Sequence, residues 1–391
     1  MQSEGLSPNE AIFTHILKVC GSRGDIEKGQ YIHEEIVRRG LLEKNIVLGT
    51  ALLDMYVKCG TLRKAHEVLE QLPSRDVVSW NAIISGYTQH DRCLEALKCF
   101  DMMQTEGISP SSVTFICMLK VCGNTRAMET GKQIHEWIIR SGLLKKDIVL
   151  GNALVDMYAK LGVLTEAENV LQELPIRDVV SWNALIAAYT QHSQEYQALS
   201  CFEHMQSEGI SPDEVSFISI LKACGSITAI DKGKQIHDEI INKGFLEKDV
   251  VLGNAVMDMY VKCGMPSKAL KVFEALPFRD VVSFNTLISG FSQQGQSHEA
   301  LDLYDQMQNE GLYPDIVTFI CMLKVCGSTR AIAKGKLIHE EIKNNRDLLE
   351  KDIALGNALV DMYVKCSMLT KAKVVLEELP DRDTVSWSIV I

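Results

Sequence analysis

Histidine, glutamate and cysteine are the residues here that could hold a catalytic metal. His33-Glu34-Glu35 and His339-Glu340-Glu341 match His-x-Glu, in which a histidine ligates zinc and a carboxylate shuttles protons. His237-Asp238-Glu239 fits only by position, and His135-Glu136-Trp137 does not fit. The second half of such a site, Cys-x-x-Cys, occurs nowhere in the 391 residues, so a zinc centre of this type cannot be completed. The histidines therefore read as structural. Cys20, Cys122, Cys224 and Cys326 recur every 102 residues in apolar surroundings, as small buried side chains do in a reducing compartment. There is no Gly-rich phosphate loop and no nucleophile triad. No catalytic residue, metal or cofactor is expected.

What remains is hydrogen-bonding chemistry repeated at fixed intervals. One polar series is Asn81, Asn183 and Asn285, with Thr50, Asn152, Asn254 and Asn357 in an analogous place. A second is Ser111, Asp213 and Asp315, with Asp76, Asp178, Asp280 and Asp383. Two further series accompany them, an apolar one (Val47, Val78, Val149, Val180, Val251 and Val282) and a cationic one (Lys58, Lys160, Lys262 and Lys365).

The elements that position these residues follow from the repeat. Arg75-Asp76-Val77-Val78-Ser79-Trp80-Asn81 returns after 102 residues at Arg177 and again at Arg279, with Phe284 for tryptophan. A fourth copy starts at Arg382. Each 102-residue unit holds three related segments of 35, 36 and 31 residues. The 36-residue segments are 10–45, 112–147, 214–249 and, with one extra residue, 316–352. The 31-residue segments are 46–76, 148–178, 250–280 and 353–383; the 35-residue ones are 77–111, 179–213 and 281–315. Residues 1–9 read as the tail of a 35-residue segment, and 384–391 stop inside a first helix. The whole chain is thus expected to be one array, either a segment of a longer protein or the product of a truncated gene model.

Each segment predicts two helices. Trp182, Leu185, Ile186 and Tyr189 share one face of the first, and Ala198, Leu199, Phe202 and Met205 one face of the second. Neither face can be buried alone, so the expected fold is all-α: an α-solenoid of stacked helix-turn-helix hairpins.

Composition sets outer bounds. The formal net charge of −11 argues against a protein that coats DNA by neutralising phosphates, but does not exclude a reader of single-stranded bases. No apolar run is long enough to span a membrane, and no signal or transit peptide is visible at the N-terminus.

The alternation of 35, 36 and 31 residues resembles the pentatricopeptide repeat family, and within it the plant-type PLS subclass, across essentially the whole chain. The competing reading is the tetratricopeptide repeat, a peptide-binding scaffold whose W-x2-L-G-x2-Y opening is partly mimicked by Trp182, Leu185 and Tyr189. Its glycine is replaced by Ile186, however, and the repeat length cycles instead of holding constant.

The resemblance implies a right-handed superhelix that binds single-stranded RNA in a mitochondrion or chloroplast, with processing or C-to-U editing proteins acting in trans. Reading one base per helical repeat with two or three side chains is a known property of such repeats, not an inference from this chain. By resemblance, the early Asn favours pyrimidines and Thr purines, and the motif-ending residue completes the choice. An ionised Asp only accepts hydrogen bonds, which suits the ring N–H of U or G; serine can donate, which suits C. The same Asp residues also fit N-caps. By resemblance the valines wedge between bases, although hairpin packing would fit them equally. Ala354 departs from that series.

The lysines could track the strand's backbone or be ordinary solvated cations; the 35-residue motifs carry Gln89, Gln191 and Gln293 at that place. Ile116, Ile218 and Ile320 cannot read a base edge, so the 36-residue motifs are expected to skip bases, except the first, where Thr14 with Asn45 favours A. The array then predicts, 5′ to 3′, A, G, C, any, U, U, any, U, U, any, U.

Overall fold

The computed structural model describes residues 9–42, 45–344, 348, 352–379 and 382–389. The partial motif expected over 1–9 falls outside these residues except for Asn9. Among the described residues the chain is helical throughout, without a strand, and no helix is long and apolar enough to cross a membrane.

The motif beginning at Val77 shows why these residues make a hairpin. The Asp76 carboxylate accepts from the Val78 and Ser79 amides, while the Asp76 amide donates to Ser79 Oγ at 2.9 Å. This reciprocal box satisfies amides that a helix start leaves without partners. The helix Val77–Gln89 then buries Trp80, Ile83, Ile84 and Tyr87 on one face. After a turn with Asp91 in the left-handed region, the second helix, Cys93–Thr105, buries Ala96, Phe100 and Met103. Truncating a core ring such as Trp80 to alanine would cost about 3–5 kcal/mol.

Motif length is set mostly in the second helix. It has 13 residues in the 35-residue motif at Cys93–Thr105, but 10 in the 31-residue motif at Leu164–Glu173. The 36-residue motif 112–147 has a 14-residue second helix, Met128–Ser141, followed by a short 3₁₀ turn, Leu143–Lys145, whereas the second helix of 214–249, Ile230–Asn242, has 13 residues. Close approach within the 31-residue hairpin needs glycine: a Cβ on Gly253 would lie 2.6 Å from Leu276 Cδ2.

The chain divides into two compact units, residues 1–192 and 193–391. In the first, the helices Glu10–Arg23, Ile46–Lys58, Val77–Gln89, Ser112–Thr125, Ile148–Leu161 and Val179–Gln191 pack successively as one layer. The second helix of each hairpin packs on its own first helix and on the first helix of the next motif. The second unit repeats this with Glu214–Ser226, Val250–Lys262, Val281–Gln293, Ile316–Thr329, Ile353–Lys365 and the short Thr384–Ser388 as its layer of first helices. The faces expected from periodicity are the buried ones: Trp182, Leu185, Ile186 and Tyr189 in one unit, and Ala198, Phe202 and Met205 in the other, with Leu199 half-buried.

Candidate nucleic-acid interface

The two polar series meet. Each early asparagine sits in the second turn of a first helix, and each motif-ending residue caps the first helix of the next motif. Stacking brings them together. In the first unit Asn81 Nδ2 donates to Ser111 Oγ at 2.9 Å, and Asn152 Nδ2 to Asp178 Oδ1 at 3.1 Å. In the second, Asn254 Nδ2 donates to Asp280 Oδ1 at 3.1 Å, Asn285 Nδ2 to Asp315 Oδ1 at 2.9 Å and Asn357 Nδ2 to Asp383 Oδ1 at 3.3 Å. Asn183 is buried at 8% exposure in the first unit, and Asp213 caps Glu214–Ser226 in the second.

Thr50 differs: its hydroxyl donates back to the Ile46 carbonyl at 2.9 Å, not across to Asp76. Thr14 likewise donates to the Glu10 carbonyl, while Asn45 caps Ile46–Lys58 and donates to Glu10 Oε2.

Capping and pairing therefore coexist on one side chain. Asp76, Ser111, Asp178, Asp213, Asp280, Asp315 and Asp383 all close capping boxes. Burial by itself would raise the Asp280 carboxyl. Hydrogen bonds from the Ser283 amide and hydroxyl and from Asn254 outweigh it, holding the group below the usual carboxylate range. The Ser386 amide and hydroxyl do the same for Asp383, with help from Asn357. Both are acceptors only at neutral pH.

Three of the sets, those of Asn81, Asn254 and Asn285, have a third member that is invisible to the spacing argument, whereas the amide oxygens of Asn152 and Asn357 are buried without a partner among the described residues. In those three the hydroxyl three residues past the motif end turns back to the asparagine oxygen of the preceding motif. Thr114 Oγ1 donates to Asn81 Oδ1 at 2.5 Å, Ser283 Oγ to Asn254 Oδ1 at 2.7 Å and Thr318 Oγ1 to Asn285 Oδ1 at 2.6 Å. These bonds fix which end of the amide faces the motif-ending residue.

The valines are not hairpin packing. Val47, Val78, Val149, Val180, Val251 and Val282 are all exposed, between 54% and 63%. Val113, Val215, Val317 and Val385 are 50–54% exposed at the same place in four further motifs, a set the sequence reading missed, while 10–45 and 353–383 carry Ala11 and Ala354 there. Identical offset from the capping residue was the signal that could have found them. In the first unit Thr50, Asp76, Val78 and Asn81 line one groove of about 620 Å³, together with Val47 and Val113.

The lysine series is compensated. Lys58, Lys160, Lys262 and Lys365 each place Nζ 2.7 Å from the carboxylate four residues earlier, on Asp54, Asp156, Asp258 and Asp361. Their stems lie along glycines of the preceding motif; a Cβ on Gly225 would lie 3.1 Å from Lys262 Cδ. Each lysine is thus held in an ion pair on its own helix.

The metal-type residues are committed to packing. Nδ1 of His33, His135, His237 and His339 faces the hydroxyls of Tyr56, Tyr158, Tyr260 and Tyr363 at 2.8–3.0 Å. Among the described residues no three His, Cys, Asp or Glu side chains gather as metal ligands. Burial pushes the Cys122, Cys224 and Cys326 thiols up to about 11, which makes them unreactive.

Comparison with known proteins agrees with this geometry. Models described as PPR repeat family match residues 75–124, 177–226 and 279–328. Those described as PPR repeat match 11–41, 50–77, 152–179, 254–280 and 357–383. A chloroplastic pentatricopeptide repeat-containing protein of Arabidopsis thaliana is 33% identical over 383 residues, 98% of this chain and 61% of its own. A mitochondrial one from the same plant is 34% identical over 389 residues, 99% of this chain and 37% of its own. The chain thus spans less than two thirds of these curated relatives. Among solved structures, the pentatricopeptide repeat protein PPR10 in complex with an 18-nt psaJ RNA element superposes with TM-score 0.76 at 18% identity, covering 100% of this chain and 61% of that one. Yeast Rmd9p in complex with a 16-nt target RNA gives 0.52 at 12% identity, over 94% of this chain and 87% of that one. These likenesses carry the fold, an α-solenoid of stacked hairpins. By its repeat models, its relatives and its hairpin architecture, the chain belongs to the pentatricopeptide repeat family.

Proposed function

We propose that the chain binds single-stranded RNA selectively, one base per 35- or 31-residue motif and one at the first 36-residue motif, as a site-recognition factor for organelle RNA processing or C-to-U editing. The carrying observation is the row of hydrogen bonds from Asn81, Asn152, Asn254, Asn285 and Asn357 to Ser111, Asp178, Asp280, Asp315 and Asp383. Each such pair keeps one amide proton and further acceptor lone pairs for a base edge beside it. The exposed valines supply apolar surface on which bases can pack.

The motif lengths support a PLS-type array, and the chloroplastic and mitochondrial relatives support an organelle. Recognition needs no enzymatic centre in this segment, and the reading assigns none. The predicted strand is A, G, C, any, U, U, any, U, U, any, U. Filter binding should favour this RNA over one with purines at the U positions. Equal affinity for the two would defeat the assignment.

A further inference from the structure

Three of the four 36-residue motifs carry isoleucine at the base-reading place, and the lysines of the 31-residue motifs are each paired with an aspartate on their own helix. A strand held only by base edges would have nothing to grip its phosphates. Lys18, Lys120, Lys222 and Lys324 meet that need. They recur every 102 residues, one in each 36-residue motif. Each lies four residues after Thr14, Ile116, Ile218 or Ile320, so it shares the helix face of the base-reading position, one turn further on.

Three observations separate these lysines from ordinary surface cations. All four are exposed, and among the described residues none has an ion-pair partner. Lys18 lines the same groove as Thr50, Asp76 and Asn81. The corresponding place in the other motifs never holds a cation: it is Asp54, Asp156, Asp258 and Asp361, or Ser85, Ala187 and Ser289. In a chain of net charge −11, an anionic strand must be met by positive charge that is not already cancelled nearby.

We infer that Lys18 and Lys120 in the first unit, and Lys222 and Lys324 in the second, each bind a phosphodiester of the strand, so that the 36-residue motifs grip the backbone, three of them where no base is read. The inference rests on the RNA-binding reading for the nature of the ligand, but not on the base assignments.

The test uses the full chain with all four lysines changed to glutamine, which keeps most of the stem and removes the charge. Binding to the predicted RNA is measured from 50 to 300 mM salt, with the purine-substituted RNA as second ligand. Each phosphate contact contributes a slope of about −0.7 in log affinity against log salt for single strands, so the variant should lose close to 3 in slope. Its preference for U over purine should persist. Lys→Arg at the four positions should restore the wild-type slope, and circular dichroism should be unchanged throughout.

An unaltered slope in the glutamine variant, with the wild type still discriminating between the RNAs, overturns the lysine site alone. A reduced slope with no discrimination in either protein supports the site and overturns the base assignments. Failure of the wild-type chain to bind either RNA overturns both.

Discussion

Asn285 has two protons on one nitrogen; Asp315 takes one at 2.9 Å, while Thr318 donates to the amide oxygen at 2.6 Å. The second amide proton and the other carboxylate lone pairs are what a base can use. Asn285→Thr should therefore move the preference at that position from U towards G, by about 1–3 kcal/mol. Competition between RNAs differing at that base measures it, and an unchanged ratio would count against the pairing. Thr318→Val keeps the shape but loses the hydroxyl, hence both the capping box and the amide lock. It should lower stability by about 1 kcal/mol and blunt discrimination at the Asn285 position, whereas Thr318→Ser should preserve both. Denaturant melts and the same competition assay check this. The asparagine and aspartate were legible from period alone. The threonine was not, because it lies 33 residues from Asn285, and only stacking brings the two within reach.

At the scale of elements, each 36-residue motif is tied to the next by a histidine on its second helix and a tyrosine on the following first helix. Burial lowers the His33, His135, His237 and His339 imidazoles below their ordinary value of 6.5. In the first unit, Nε2 of His33 and of His135 is buried without a hydrogen-bond partner, so a proton arriving there would be poorly accommodated. The unfolded chain binds protons on these rings near 6.5, and the folded chain only at lower pH. Their contribution to stability is thus complete above that value and shrinks as pH falls towards the folded values. Melting temperature should be lower at pH 5.5 than at 7.5, and combining His135→Gln with His237→Gln should narrow the difference. A gap as wide in the double variant would contradict the assignment. The Asp–Lys pairs on the 31-residue first helices were open to a sequence reading, since carboxylate and ammonium stand four apart in the favourable order. The repeated lysines alone do not reveal this pairing; the aspartate repeated four residues before each one does.

Across the molecule, contacts within each unit run between neighbouring hairpins, so stability should be nearly a sum of local terms. Excising residues 77–178 joins Asp76 to Val179, an equivalent junction with the same capping residue and the same next helix. The shortened chain should fold, lose helical signal in proportion to length and protect an RNA footprint shorter by three motif positions. Circular dichroism and nuclease protection test this; loss of a cooperative melt would show that the excised 102 residues are not an interchangeable block. The period, the hairpins, the buried faces and the recurring polar positions were all determined by the sequence, because a repeat imposes the same local geometry each time and apolar periodicity marks the face that must be covered. Which partner each polar side chain takes was decided only by tertiary structure: Asn to Asp across motifs, Thr50 back to its own helix, Lys58 to Asp54 and Lys18 to none among the described residues. Those choices depend on distances of a few ångströms between stacked helices and on side-chain torsions, and spacing along the chain carries neither.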